Sequence, residues 1–329
     1  MTRWIALSDQ TAPLALPEGD DLARGLLVLE IELPLAGAAV LLDLRLGEGA
    51  SEVALSLFHD LGAGIALLHR QGGRVLRHVL PGPLPQKPGV AQLRFGWDSG
   101  AGRWSLTLEQ DGRRIAAEGA RVLPLRWDDL RLLCTGGPGV MRHPAVLWFG
   151  VTEGAALPQP QAWLGVATPV ETQRGAVQAG LLKPGDRVVT QENGAVAVTG
   201  VTRIAVPSRG SLAPIRLRAP YYGAREDILV SPDQPVWVGG PEAEYLFGEE
   251  EVLVLARHLA DGQMAVADSR RAVAMGVVLD LGSPELVLAD GCVLATAGPA
   301  GQPPVRRLLD GYEAQSLRSA LLRLQRRVV

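Results

Sequence analysis

Two cysteines, two lysines and no apolar run long enough to cross a bilayer are the scarcities that first narrow this 329-residue sequence. Cys134 and Cys292 are far apart and form no Cys-x-x-Cys, which argues against a zinc site or a disulfide framework. Two small buried thiols are the simpler reading. Lys87 and Lys183 are the only lysines, so the cations are nearly all arginine, which the base composition of a genome explains more simply than anion binding. With 32 basic and 35 acidic residues the net charge is −3, which provides no general attraction for nucleic acid or anionic lipid. The longest apolar patch, Leu35 to Leu42, is half small residues and too short for a membrane span. The first residues hold no apolar core of a signal peptide, so the cytoplasm is the default expectation, with leaderless secretion left open. There is no Gly-x-Ser-x-Gly elbow, no phosphate-cradling loop and no His-Glu-x-x-His. Of five histidines, only His258 lies in the second half. His59, His69, His78 and His143 belong to the first half, and His59 and His69, at the ends of apolar strands, read as half-buried strand residues rather than metal ligands. No metal and no cofactor are expected.

What is present is turn-rich and apolar: 47% hydrophobic residues with 39 Gly and 24 Pro, enough chain for two cores. Alternation and turn residues predict strands at 26–33, 39–46, 53–59, 64–70, 74–80, 90–97, 104–110, 113–118 and 145–150. Asp111-Gly112 and Gln71-Gly72-Gly73 are hairpin signals, and Trp127 to Cys134 reads as a short helix with Asp in its first turn. Leu157-Pro-Gln-Pro-Gln161 has the composition of a linker. Near the C-terminus, Asp310 and Glu313 make a capping pattern. Leu317, Leu321, Leu324 and Val328 follow on one helical face, with Arg323, Arg326 and Arg327 in the last turns. The resulting division is a sandwich over 1–156, a linker at 157–162, an all-β domain over 163–300, and an extension over 301–329 with a helix at about 310–328.

The second domain opens with a turn, Leu182-Lys183-Pro184-Gly185-Asp186, that launches the alternating Arg187-Val188-Val189-Thr190 and stops at Glu192-Asn193-Gly194. Two further blocks follow in order, Leu229-Val230-Ser231-Pro232-Asp233-Gln234 and the segment Leu246 to Leu259. These three blocks resemble the Hint (Hedgehog/intein) family, in its bacterial branch, over roughly Trp163 to Gly298. The resemblance implies an autoprocessing fold whose first residue, Cys or Ser, attacks the preceding carbonyl, and whose His assists the departing amide. Trp163 falls at the nucleophile position and Gln234 at the His position. An indole offers no usable nucleophilic atom, and a carboxamide cannot give up a proton at neutral pH. Ser231 keeps the family's small hydroxyl, Thr168 survives five residues beyond the bond, and Val278 and Pro284 fill two further family positions.

In the first domain, Leu93-Arg-Phe-Gly-Trp97-Asp98 with Arg103-Trp104-Ser-Leu-Thr-Leu resembles concanavalin A-like (laminin-G-like) sandwiches. That resemblance implies a jelly-roll-like sandwich and a glycan ligand, with Trp97, Asp98 and Trp104 as candidate contacts. Asp98 alone falls short of the roughly six to eight oxygens calcium takes.

The expected fold class is therefore all-β: a β-sandwich, a Hint-type domain and a C-terminal helix. The leading expectation is a Hint-domain protein without self-cleavage, acting as a binding or structural module toward an unknown protein or glycan. Two alternatives stand beside it. One is active autoprocessing from Thr168 or Ser231, and the other is a carbohydrate-binding first domain. The inert reading is overturned if a thiol, hydroxyl or imidazole converges on the backbone just ahead of residue 163.

Overall fold

The computed structural model describes residues 3–10, 12–17, 19–48, 52–154, 161–298 and 302–328. The chain divides into two compact units, Met1–Pro158 and Gln159–Val329. Residues 157–160 of the expected linker lie outside the described residues.

The two large sheets of the first unit are antiparallel, as is a two-stranded one that pairs Asp21–Leu22 with Leu125–Arg126. One runs in the order Arg3–Leu7, Val146–Glu153, Arg24–Leu33, Gly89–Asp98, Arg103–Gln110 and Arg113–Ala120. The other runs Val140–Arg142, Ala39–Leu46, Val53–Asp60, Gly64–Gln71 and Arg74–Leu80. Period-two alternation turns Leu29, Ile31, Leu93, Phe95, Leu57 and Leu67 into one shared core, which is why the sheets stack as a sandwich. The Asp111-Gly112 hairpin forms as expected. Both residues adopt positive φ, 50° and 78°, the geometry that lets a two-residue loop follow strand twist. The helix Trp127–Thr135 buries Trp127, Leu130, Leu133 and Cys134 and stops at Gly136. Burial pushes the Cys134 thiol up to about 12. His59, His69 and His78 are buried rather than half-buried, because all three point inward.

The second unit is also built from two antiparallel sheets. The first runs Gly200–Pro207, Val273–Asp280, Leu164–Gly165, Ile228–Val230, Ile215–Leu217 and Ala265–Ala267. The second runs Gly175–Gln178, Pro169–Thr172, Arg187–Thr190, Leu286–Ala289, Cys292–Ala295, Pro235–Gly239 and Glu251–Leu255. The Pro184-Gly185 turn closes as the residues demand. Gly185 takes φ 94°, Asp186 N–H donates to the Lys183 carbonyl at 3.1 Å, and the Asp186 carboxylate accepts the Lys183 N–H at 2.8 Å. Gly194–Ala197 pairs back on Arg187–Thr190 through a three-residue loop, one residue longer than Asn-Gly alone suggests.

The C-terminal helix Gly311–Val328 docks on this second core through Ala314, Leu317 and Leu321. The side chains of Leu324 and Val328 lie outside the described residues. Its capping pattern is complete. Asp310 Oδ1 accepts the N–H groups of Tyr312 at 2.9 Å and Glu313 at 2.8 Å, and Glu313 Oε2 accepts the Asp310 N–H at 3.1 Å. Asp310→Ala is expected to cost about 1 kcal/mol, read as a lower unfolding midpoint of the second unit. Asp310→Asn, which keeps the acceptor, should recover most of it.

Candidate functional site

The site begins where the chain enters the second unit. Leu164 pairs with both Val277 and Val230, and Gly165 pairs with Gly276, so residues 164–165 are an interior strand of their sheet. Trp163, the residue before, is tied to Ser231 by two bonds. The Ser231 N–H donates to the Trp163 carbonyl at 2.9 Å, and the Trp163 N–H donates to Ser231 Oγ at 3.3 Å. The indole is 4% exposed and lies on Gly276, where an added Cβ would sit 2.6 Å from the ring. Gln234 is 2% exposed, and its Nε2 donates to the carbonyls of Ala295 at 2.7 Å and Pro235 at 3.1 Å. What remains between these groups is a cavity of about 10 Å³, walled by Ala162, Trp163, Gln234, Val277 and Thr296 among others. That volume is at the lower limit for one water molecule.

Of the sequence-predicted residues, Trp163, Ser231 and Gln234 come together here. Thr168 does not: its hydroxyl donates to the Leu229 carbonyl at 3.3 Å. Val278 does not either, because strand alternation puts Val277 and Leu279 on the cavity side. Pro284 packs instead on Gly298. Ala295 and Thr296, which contribute a carbonyl and a wall, were not singled out as site residues. Their only sequence signal is their position after Asp290-Gly291.

One hydroxyl does converge on the backbone ahead of the indole, and it is Ser231. Its oxygen accepts the Trp163 N–H at 3.3 Å, so it sits on the N–H side of the planar 162–163 amide. Attack on the Ala162 carbonyl carbon requires approach from above that plane. Among the described residues, no imidazole or carboxylate lines the cavity to take the serine proton. The second unit's thiol, Cys292, is fully buried in its own strand, and burial pushes it up to about 12. His258 is held below the ordinary imidazole range by burial first and Arg257 second, and it sits beside Gly311 rather than at the cavity.

The sequence from 165 to 301 matches the family model described as "Hint domain". The second unit carries a Hint domain. No curated protein matches the chain. Among solved structures, the Ruminococcus gnavus IT-sialidase CBM40 aligns at 15% identity over 41% of this chain and 79% of that one, with a TM-score of 0.29. The same module bound to alpha2,6 sialyllactose aligns at 16% identity over 48% and 94%, with a TM-score of 0.28. The LG1-3 region of the laminin alpha2 chain aligns at 8% identity over 92% and 57%, with a TM-score of 0.26.

Outside the Hint domain, the three candidate glycan contacts are placed as follows. Trp97 is 1% exposed, stacks on Phe95 at 5.7 Å and donates its indole N–H to the Leu22 carbonyl at 2.8 Å. It is a core residue, which corrects the expectation of a ligand platform. Trp104 pairs with Trp97 across the sheet and turns its ring toward His78, 4.7 Å away. Asp98 spends one oxygen on the Ala101 N–H at 2.9 Å and faces Arg24 at 3.5 Å. Among the described residues, no group of three or more His, Cys, Asp or Glu could hold a metal ion.

Proposed function

We infer that this Hint domain does not cleave or splice and serves as a structural or binding module. The observation that carries the reading is the filled cleft. Trp163 occupies the nucleophile position with its indole buried against Gly276, leaving about 10 Å³. Gln234, at the proton-donor position, is fixed between two carbonyls and has no proton to give at neutral pH. Loss of one acid–base group alone lowers a rate roughly a hundred- to ten-thousandfold. Here the covalent route has also lost its attacking atom.

Purified protein incubated with thiol or hydroxylamine is expected to remain one 34.9 kDa chain by intact mass. A product cut between Ala162 and Trp163 would refute inactivity. Ser231 is the hydroxyl that favours the rival reading, self-cleavage from a non-standard nucleophile, because it touches the amide in question. If cutting is seen, Ser231→Ala should abolish it and Thr168→Ala should not. If none is seen, both variants should match the parent.

A further inference from the structure

Away from the cavity, exposed apolar side chains of the second unit gather on the helix Pro241–Phe247 and the start of the C-terminal helix. Tyr245 is 88% exposed and Tyr312 81%, the highest values among the large apolar residues described, and Leu246 and Leu308 are exposed as well. Their base is fixed from beneath. Ala243 is buried and Phe247 packs on the core, which leaves Tyr245 and Leu246 on the solvent side. The Arg307 guanidinium lies over the Phe247 ring at 5.8 Å and pairs with Glu313, the residue after Tyr312. The Leu253 N–H donates to the Arg307 carbonyl at 2.8 Å, and the Leu253 carbonyl accepts the Leu309 N–H at 2.9 Å. These bonds clamp both helices to one sheet edge.

The charge around this face has one sign. Residues 241–251 and 306–313 hold seven carboxylates and two guanidinium groups. Both arginines are already engaged, Arg306 with Glu192 and Glu251, and Arg307 with Glu313. The cations near the helix start are engaged too: Arg257 with Asp233, and Arg318 with the Ala260 carbonyl at 2.8 Å. Glu242, Glu244, Glu249 and Glu250 belong to no ion pair among the described residues.

We propose that this face docks a cationic segment of a partner protein, one in which arginines or lysines are interleaved with apolar residues. Its cations pair with the four unmatched glutamates and stack on the rings of Tyr245 and Tyr312. Its apolar residues cover Leu246 and Leu308. Tyrosine suits such a surface because it contributes a large apolar ring with little entropy to lose. The same negative excess repels nucleic acid and anionic lipid. The proposal gives the reading of a binding module a surface, and it does not require the cleft to be inert.

The test is fluorescence anisotropy of the full chain with a short synthetic peptide that repeats Arg-Ser-Leu-Ser. It should bind with a Kd of about 10 μM at low salt. High salt should weaken it about tenfold, and a peptide with Glu in place of Arg should not bind. Tyr245→Ser with Tyr312→Ser should also cost about tenfold with the unfolding midpoint unchanged, whereas Phe at both positions keeps the rings and the affinity. Glu244→Gln with Glu249→Gln should weaken binding by a similar factor. Absence of binding at about 1 mM peptide would overturn the proposal. So would an affinity indifferent to the tyrosines. A chain that light scattering shows to be a dimer, and that the serine variant makes monomeric, would also overturn it, since a second copy would then cover the face. Intact mass of the same sample reports on self-cleavage separately, so either reading can fail alone.

Discussion

Taking the chain from neutral pH down to about 4 is expected to destabilise the first unit by about 6 kcal/mol, a large share of the roughly 5–15 kcal/mol that holds a typical domain folded. The source is a pair of histidines inside the sandwich. His69 and His78 are 3% and 1% exposed and lie diagonally across paired strands, with Leu67 facing His78 and Leu76 facing His69. Phe95 and Trp104 cover His78, at ring separations of 5.5 Å and 4.7 Å. Its Nε2 has no partner. Burial pushes both imidazoles from 6.5 down to about 4, and for His69 the neighbouring His78 adds to it.

Between 6.5 and about 4 the unfolded chain therefore takes up two protons that the folded unit refuses. Stability falls as pH falls through that window and is not lost further below it. At 1.36 kcal/mol per pKa unit, each histidine accounts for about 3 kcal/mol. The check is chemical unfolding at a series of pH values, on the parent and on a His69→Leu/His78→Leu variant. The variant keeps the carboxylate-driven acid loss but should lose the histidine component. Identical pH profiles for the two proteins would reject it.

The second large effect belongs to the buried indole of Trp163. Trp163→Ala is expected to cost about 3–5 kcal/mol, because it removes a buried indole from a site whose walls are strands and cannot collapse freely. Gly276→Ala should cost about 1–3 kcal/mol for the opposite reason: its new Cβ would land 2.6 Å from the same ring. The two costs are not independent. With the indole gone, the Cβ has space, so Gly276→Ala should be nearly neutral in the Trp163→Ala background. The expected coupling is about 1–3 kcal/mol. Urea unfolding of the four proteins measures it. Simple additivity would mean that the indole does not lie on Gly276, and with that the account of a filled cleft would fail.

Strand-level structure was legible because its signals are local. Alternating apolar residues marked the sandwich strands. Asp111-Gly112 and Pro184-Gly185 each dictate a backbone geometry that only a tight turn satisfies. Asp310 and Glu313 satisfy each other across three residues. The Hint blocks were legible for the same reason, as contiguous runs with a characteristic order.

Sequence alone thus determined the all-β class and the Hint resemblance. Tertiary structure decided what the candidate site residues touch. Trp97, read as a candidate glycan contact, turned inward because it follows Leu93 and Phe95 at two-residue spacing on the core face of strand Gly89–Asp98. Ser231 met the amide of residue 163 from 68 positions away, and Gln234 reached a carbonyl 61 positions on. Such contacts depend on which strands become neighbours and in what register. That is settled by how two sheets bury their apolar faces together, and a one-residue slip would send every one of these side chains to the other side.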